Sequence, residues 1–214
     1  ALMNIQPSNY NPRKHFDEAS LADLGGIDLV KGGVYGRDEN NSVGKQGLNG
    51  WIFAILTLDT MGYKTPEGAE FDRERILDEI VSSQNTDGGF SLSKGESDID
   101  ITAMALQAIA PYYNDFSRDD IRKSVDKAVE YLSGKQDSSG TFGSAEADSQ
   151  VVIALCSLGI DPEADSRFVK NADLLTALLS YQNSDGGFSH EKGGDSDELA
   201  TGQALCALAA QKRF

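Results

Sequence analysis

Four copies of one short apolar pattern constrain the fold of this chain more than any other feature. Each copy reads Ala, then Ile or Leu, any residue, a small residue, and Ile or Leu again, as in ALCSL and ALCAL. The anchoring residues are Ala54, Ala105, Ala154 and Ala204, at spacings of 51, 49 and 50 residues. Self-similarity at a fixed period indicates stacked supersecondary units. We therefore expect four tandem repeats of about 50 residues each.

A second motif precedes the last three alanines and ends in Phe. It reads QNTDGGF, QDSSGTF and QNSDGGF, and its shared residues are Gln84, Asp87, Gly88, Gly89, Phe90, Gln136, Gly140, Phe142, Gln182, Asp185, Gly186, Gly187 and Phe188. The first repeat has only the degenerate GGVYG at 32–36. Glycine permits positive φ just past a helix end, after which the Phe turns back onto the apolar layer. We predict a helix stop with an aromatic plug rather than a direct contact with a ligand.

The periodicity of the segments around these motifs predicts two kinds of helix. Amphipathic helices are expected at 71–84, 117–132 and 168–182, with Ser117 as an N-cap before Asp119 and Asp120. Segments that are apolar nearly all round lie at 50–60, 101–111, 150–160 and 199–210. Such helices are buried on every side. We therefore predict an all-α, two-layer array with the apolar helices inside.

The repeats divide the chain into two regions. We expect residues 31–214 to form four α-hairpin repeats of one domain. We expect residues 1–30 to be an N-terminal segment left from a preceding repeat, with a further helix near 16–30. The chain begins without Met. We expect it to be part of a longer protein.

Composition restricts the partners. The formal net charge is −15, and no Lys/Arg cluster interrupts the acidic surface, which disfavours nucleic acid and anionic membranes. The longest apolar run is far below the roughly 20 residues that a membrane-spanning helix needs. Cys156 and Cys206 lie within apolar helical runs, where free buried cysteine is common.

The QxxDGGF-type motif followed by an Ala/Leu helix resembles the repeat of the terpenoid cyclase and protein prenyltransferase superfamily. Over about residues 30–214 the resemblance implies an α/α toroid, with inner helices around a central cavity and outer helices surrounding them. The segments LNGWIFAILTLD (48–59) and SDIDITAMALQAIAPYY (97–113) are similar to bacterial extracellular members. That similarity implies an extracytoplasmic location. A closed toroid and a partial, open arc both stay possible.

The zinc chemistry of protein prenyltransferases needs Cys, His and carboxylate ligands that converge in a cavity. Neither His15 nor His190 lies on a predicted inner helix. Cys156 and Cys206 share a core column with Leu56 and Gln107, and the family's Asp-x-Cys pair is absent. We therefore expect neither a zinc site nor another cofactor.

The segment Asp98-Ile99-Asp100-Ile101-Thr102-Ala103 resembles the DxDD-Thr-Ala motif of class II terpene cyclases. The resemblance aligns Asp100 with the acid that protonates the substrate and Asp98 with a neighbouring carboxylate. Ile101 stands where the motif has its last Asp, and the inner segments offer few aromatics beyond Trp51 and Phe53. The alternative is that Asp98 and Asp100 cap a helix. Similar acidic pairs precede the later inner helices, at Glu146 and Asp148 and at Asp197 and Glu198. We predict capping.

These observations favour a non-catalytic binding or scaffold domain of a larger bacterial protein. Its expected partner is a small molecule or another domain of the same polypeptide. One alternative is a terpene-cyclase-like enzyme that uses Asp100. Another is a small-ligand carrier similar to the cobalamin-binding toroids.

Overall fold

The computed structural model describes residues 27–28, 33–34, 43–60, 62–65, 69 and 71–214. The helix expected near 16–30, His15 and most of the degenerate 32–36 motif lie outside these residues. Two short strands, β1 (Ile27–Asp28) and β2 (Gly33–Val34), pair antiparallel with Ile27 opposite Val34. All other regular structure in the described residues is helical. The chain divides into two compact units, Ala1–Ser82 and Ser83–Phe214.

In the first unit, two helices pack on each other after a short 3₁₀ turn at Val43–Gln46. They are α1 (Leu48–Thr60) and α2 (Arg73–Ser82). Both follow the predicted periodicity, since α1 buries Ile52 and Ile55 and α2 buries Ile76 and Ile80. The helices predicted at 50–60 and 71–84 are therefore present.

In the second unit, five helices form an inner and an outer set. They are α3 (Ile99–Ile109), α4 (Asp119–Lys135), α5 (Ala145–Ser157), α6 (Leu174–Leu179) and α7 (Glu198–Arg213), with a 3₁₀ turn at Ala110–Tyr112 continuing α3. Helix α5 packs against both α3 and α7, while α4 packs on α3 and α6 packs on α5. Within this unit the predicted layering is confirmed.

The four repeat alanines are buried, as predicted. Ala54 is 3% exposed, and Ala105, Ala154 and Ala204 are fully buried on α3, α5 and α7. A small side chain at these positions lets neighbouring helices approach closely. In the second unit, the helices that carry the alanines are the ones that pack side by side.

Replacing Ala154 with Leu should lower the free energy of unfolding by about 1–3 kcal/mol, because the larger side chain overpacks the inner layer. Urea denaturation measures the loss. Replacing the exposed Ala209 on α7 with Leu is the matched control and should change stability little. Equal effects of both changes would mean that residue 154 is not a tight helix contact.

Some predicted helix ends are wrong. The outer helix expected at 168–182 is only the six residues of α6, which Asp173 caps by accepting a hydrogen bond from the Thr176 N–H at 2.8 Å. Phe168 is fully buried although it lies in the turns before this helix. The side chain of Phe168 is therefore buried by a segment of turns rather than by a helix.

The predicted N-cap at Ser117 is also wrong. The cap position of α4 is Arg118, which makes no capping side-chain bond. Both the backbone N–H and the hydroxyl of Ser117 donate instead to Asp115, at 2.9 and 2.6 Å. The local Asx-type turn therefore competes with the cap for the Ser117 side chain.

The apolar helices are not buried on every side. Phe53 on α1 is 54% exposed, and Leu199 and Leu205 on α7 are 62% and 58% exposed. Among the described residues, no helix is both long enough and apolar enough to cross a bilayer.

Candidate functional site

The glutamine of each motif copy holds its own turn. Its side-chain amide donates to the carbonyl of the first motif glycine: Gln84 to Gly88 at 2.8 Å, Gln136 to Gly140 at 2.8 Å and Gln182 to Gly186 at 3.3 Å. The amides of Gln84 and Gln136 also donate to the carbonyls of Ser124 and Phe168, at 2.8 and 2.9 Å. These two glutamines thus tie their turns to the segments that follow.

In the first motif copy, at 84–90, the two glycines are required for different reasons. Gly88 has φ +90°, and a Cβ there would lie 2.7 Å from the carbonyl oxygen of Lys127. Gly89 has no positive φ, but a Cβ would lie 2.5 Å from the Ser97 side chain. The first position is restricted by backbone conformation and the second by close packing.

The motif aspartates bond to the loops that follow them. Asp87 accepts from the Gly89 N–H at 3.0 Å and the Ser97 hydroxyl at 2.7 Å, and Asp185 makes the equivalent bonds at 2.9 and 2.8 Å. The serine hydroxyl is the main cause that lowers the pKa of each carboxyl. Each aspartate therefore stabilises the loop that follows its own motif copy.

The Phe of each motif is held through its backbone. The N–H groups of Phe90 and Phe188 donate to the hydroxyls of Thr102 and Thr201, both at 2.8 Å. The N–H of Phe142 donates instead to Asp148 at 2.6 Å. Phe90 and Phe188 are buried, while Phe142 is only half-buried.

The acidic motif at the start of α3 divides into a cap and an unbonded carboxyl. Asp98 is the N-cap, and its carboxylate accepts from the Ile101 N–H at 2.9 Å, as predicted. The prediction of the same role for Asp100 is wrong. Asp100 lies within the first turn, and the structure shows no hydrogen bond to its buried Oδ1.

The surroundings of Asp100 favour its protonated form. Its pKa is raised to about 6, first because burial penalises the carboxylate, then because Asp98 and Glu146 place negative charge nearby. The positive charge of His190 has the opposite effect and lowers the pKa of Asp100. With this pKa the Asp100 carboxyl is protonated in weakly acidic solution, where it can donate a proton, which is the property that the cyclase resemblance requires.

Glu146, which places negative charge near Asp100, belongs to a different helix. It lies in the first turn of α5 and forms an ion pair with His190, with 2.9 Å between Glu146 Oε2 and His190 Nδ1. The Ala145 N–H donates to the His190 carbonyl at 3.2 Å, which anchors the loop at this helix. The hydrogen bond that the His190 ring donates to the Glu146 carboxylate is the main cause that raises the pKa of His190.

The acids before α5 are not caps, contrary to the prediction. Ser144 is the N-cap, so Glu146 and Asp148 lie inside the helix. Asp148 is fully buried, and burial raises its pKa to about 7. Before α7 the prediction is confirmed at Asp197, which caps Ala200 at 2.9 Å.

Replacing Asp98 with Ala should lower the free energy of unfolding by about 0.5–2 kcal/mol, since the cap of α3 is lost. Replacing Asp100 with Asn should change stability at pH 7 much less, because no hydrogen bond is broken. Urea denaturation of the two variants under identical conditions tests this difference. A loss at Asp100 as large as that at Asp98 would restore the capping role for both residues.

Among residues 43–60, 62–65, 69 and 71–214, no three His, Cys, Asp or Glu side chains lie close enough to hold a metal ion. Cys156 and Cys206 are free thiols with partial exposure. Burial raises the pKa of the Cys156 thiol to about 11, which leaves it unreactive near neutral pH.

Three comparisons place this geometry among known proteins. Residues 38–213 match the family model described as the prenyltransferase alpha-alpha toroid domain. Over 143 residues the chain is 32% identical to drimenyl diphosphate synthase from Streptomyces showdoensis, a match that covers 63% of this chain and 26% of that protein. The chain thus spans about a quarter of this curated relative.

The solved structure of Candida albicans protein geranylgeranyltransferase-I in complex with GGPP superposes with a TM-score of 0.62. The match has 18% identity and covers 94% of this chain and 62% of that one, so it shows the fold alone. The predicted fold class, an all-α toroid of helical hairpins, is confirmed by these matches, as is the resemblance to terpenoid cyclases and prenyltransferases.

Proposed function

The chain belongs to the prenyltransferase alpha-alpha toroid family, and from that premise we propose that it is a terpenoid-cyclase-like domain in which Asp100 is the acid. The observation that carries the proposal is the buried Asp100 Oδ1, which accepts no hydrogen bond in the structure. A buried polar atom without a partner is costly, and such groups cluster at functional sites. The similarity to a drimenyl diphosphate synthase supports a terpenoid substrate.

The reaction follows from the proton that Asp100 carries. The carboxyl proton forms a C–H bond with the π electron pair of a prenyl double bond, which leaves a carbocation on the adjacent carbon and a carboxylate on Asp100. A second double bond of the same prenyl substrate attacks that cation and closes a ring. Loss of a proton to water then returns the product to neutrality, and Asp100 is reprotonated from solvent.

Glu146 compensates in part for the residue that the cyclase motif lacks. Ile101 occupies the place of the third carboxylate, yet Glu146 supplies negative charge near Asp100 from the neighbouring helix. Like charges close together raise the pKa of one acid, which keeps it protonated. This arrangement supports Asp100 as the proton donor.

Incubation of the protein with squalene, farnesol or farnesyl diphosphate, followed by gas chromatography and mass spectrometry, tests the proposal. Ring products should accumulate faster below pH 6 than above it, because only protonated Asp100 donates. Asp100→Asn should abolish the product, whereas Asp185→Asn, a loop carboxylate in the last motif copy, should retain it. Ring formation that persists in Asp100→Asn would overturn the role of Asp100.

The second candidate is the non-catalytic binding or scaffold domain of an extracytoplasmic protein, in which a small molecule or a domain of the same polypeptide occupies the toroid. The absence of a carboxylate at Ile101 favours it. Binding of a prenyl compound without any ring product between pH 5 and 8 would select this candidate over the enzyme.

A further inference from the structure

The inner helices of the second unit share a partly exposed stripe. Its members recur at helical spacings of four and three residues, which places them on one face of each helix. They are Asp100, Met104 and Gln107 on α3, Glu146, Gln150 and Ile153 on α5, and Leu199, Gln203 and Cys206 on α7. The stripe on α3 therefore contains the proposed acid.

Three glutamines link the stripes into one continuous surface, which we call the amide ladder. The Gln107 side chain donates to the Gln150 side-chain oxygen at 2.8 Å and to the Gln150 carbonyl at 3.1 Å. The Gln150 side chain donates in turn to the Gln203 side-chain oxygen at 3.1 Å. All three bonds are half-buried, so the ladder crosses α3, α5 and α7 at a semi-exposed face.

The two ends of the amide ladder are open. Within the described part of the chain, the Gln107 amide oxygen and the Gln203 amide nitrogen have no hydrogen-bond partner. One end is thus an acceptor and the other a donor. A ligand hydroxyl, which is both donor and acceptor, matches either end.

The charge of the same surface restricts the ligand further. Helices α3 and α5 contain no Lys or Arg, and α7 has them only at Lys212 and Arg213 in its last turn. The stripe does contain the carboxyls of Asp100 and Glu146. His190 pairs with Glu146, and α3 and α5 offer no Lys or Arg to hold an anionic head group, so an uncharged one is favoured there.

The amide ladder lies at a useful distance from Asp100. Gln107 is seven residues further along α3, which corresponds to about 10 Å at 1.5 Å per residue. A chain bound along the stripe can therefore place one end at the acid and the other at the amides.

We propose that the amide ladder selects an uncharged prenyl alcohol, holding its hydroxyl while the hydrocarbon end reaches Asp100. This inference rests on the proposed function for the identity of the hydrocarbon chain. It goes beyond that function because it names the head group of the ligand as a hydroxyl. It also predicts that the prenyl alcohol, rather than the prenyl diphosphate, is the preferred ligand. Gln150 bonds to both end members and is the positioning residue that holds the open groups of Gln107 and Gln203 toward the hydroxyl.

Equilibrium dialysis with farnesol, β-farnesene and farnesyl diphosphate tests the inference. All variants carry Asp100→Asn, so no probe is consumed. Farnesol should bind more than about tenfold tighter than farnesyl diphosphate, since α3 and α5 offer the diphosphate no Lys or Arg and the Glu146 carboxylate opposes it. Gln150→Met should weaken farnesol binding about two- to tenfold, because Gln107 and Gln203 lose the bonds that hold their open groups toward the hydroxyl, and should leave β-farnesene binding unchanged.

Gln211→Met is the matched control. Gln211 is on α7 and bonds to Cys156 and Glu163 rather than to the ladder. It should leave the ratio of the farnesol and farnesene affinities unaltered. Should Gln150→Met fail to fold, Gln203→Met removes an end of the ladder that makes only one bond and should lower the same ratio.

Three results would overturn the inference: no binding of any probe, farnesyl diphosphate binding as tightly as farnesol, or an affinity ratio that Gln150→Met leaves intact while the melting temperature falls. The last result would assign the ladder a structural role only. If the turnover assay yields no ring product but the farnesol preference depends on Gln150, the proposed function fails and the ladder's selectivity stands.

Discussion

Replacing Phe90 with Ala is expected to lower the free energy of unfolding by about 3–5 kcal/mol, the usual cost of removing a fully buried aromatic side chain. Phe90 is 0% exposed. Its N–H donates to Thr102 and its carbonyl accepts from the Asp98 N–H at 2.8 Å, so the backbone stays tethered after truncation. We therefore expect the surrounding residues to fill little of the cavity that the truncated side chain leaves. Urea denaturation at pH 7 measures the loss.

Phe142→Ala is the internal control for this prediction. Phe142 holds the same place in its motif copy but is only half-buried, and less apolar surface is lost there. Its cost should be clearly smaller than that of Phe90→Ala. Equal costs at the two positions would show that the motif acts through its backbone turn rather than through the aromatic plug.

Asp148 should make the stability of the fold depend on pH. Its carboxyl is fully buried, accepts from the Phe142 N–H at 2.6 Å and bonds to the Thr141 hydroxyl at 2.8 Å. Burial raises its pKa from 3.8 to about 7. A carboxyl with a raised folded-state pKa stabilises the fold below its unfolded-state pKa, and this contribution is lost as the pH rises through the folded-state value.

Asp148→Asn isolates that contribution, because its amide can accept from Phe142 and donate to Thr141 but does not titrate. The stability of the wild type relative to the variant should fall between pH 4 and pH 7, by at most about 4 kcal/mol at about 1.4 kcal/mol per pKa unit. Denaturation curves of both proteins across this range give the difference. A difference that stays constant or rises with pH would mean that Asp148 is ionised in the fold at low pH.

Local sequence signals located the hairpins, the alanine contacts and part of the capping. The spacing of Ala54, Ala105, Ala154 and Ala204 was sufficient to predict their burial, since helix periodicity and stacking follow from residues close in the chain. Capping at Asp98 and Asp197 is similarly local, because a cap bonds to an N–H three residues on.

The same signals failed where helix ends depend on competing neighbours. Acidic residues upstream of α5 were expected to be caps, but Ser144 takes the cap. This earlier start moves Glu146 and Asp148 into the helix. Ser144, Glu146 and Asp148 lie within five residues of one another, and the sequence alone does not decide which of them is the cap.

The sequence by itself determined an all-α chain of tandem hairpins with alanines at the helix contacts, because those features depend on periodicity within each repeat. Only the tertiary structure decided the state of Asp100. Its pKa depends on burial and on Glu146, a residue 46 positions away that the packing of α3 against α5 brings near. The amide ladder has the same origin, since Gln107, Gln150 and Gln203 belong to three repeats and meet only when their helices pack. Electrostatics and hydrogen bonding between repeats depend on which side chains become neighbours in space, and the order of residues within one repeat does not contain that information.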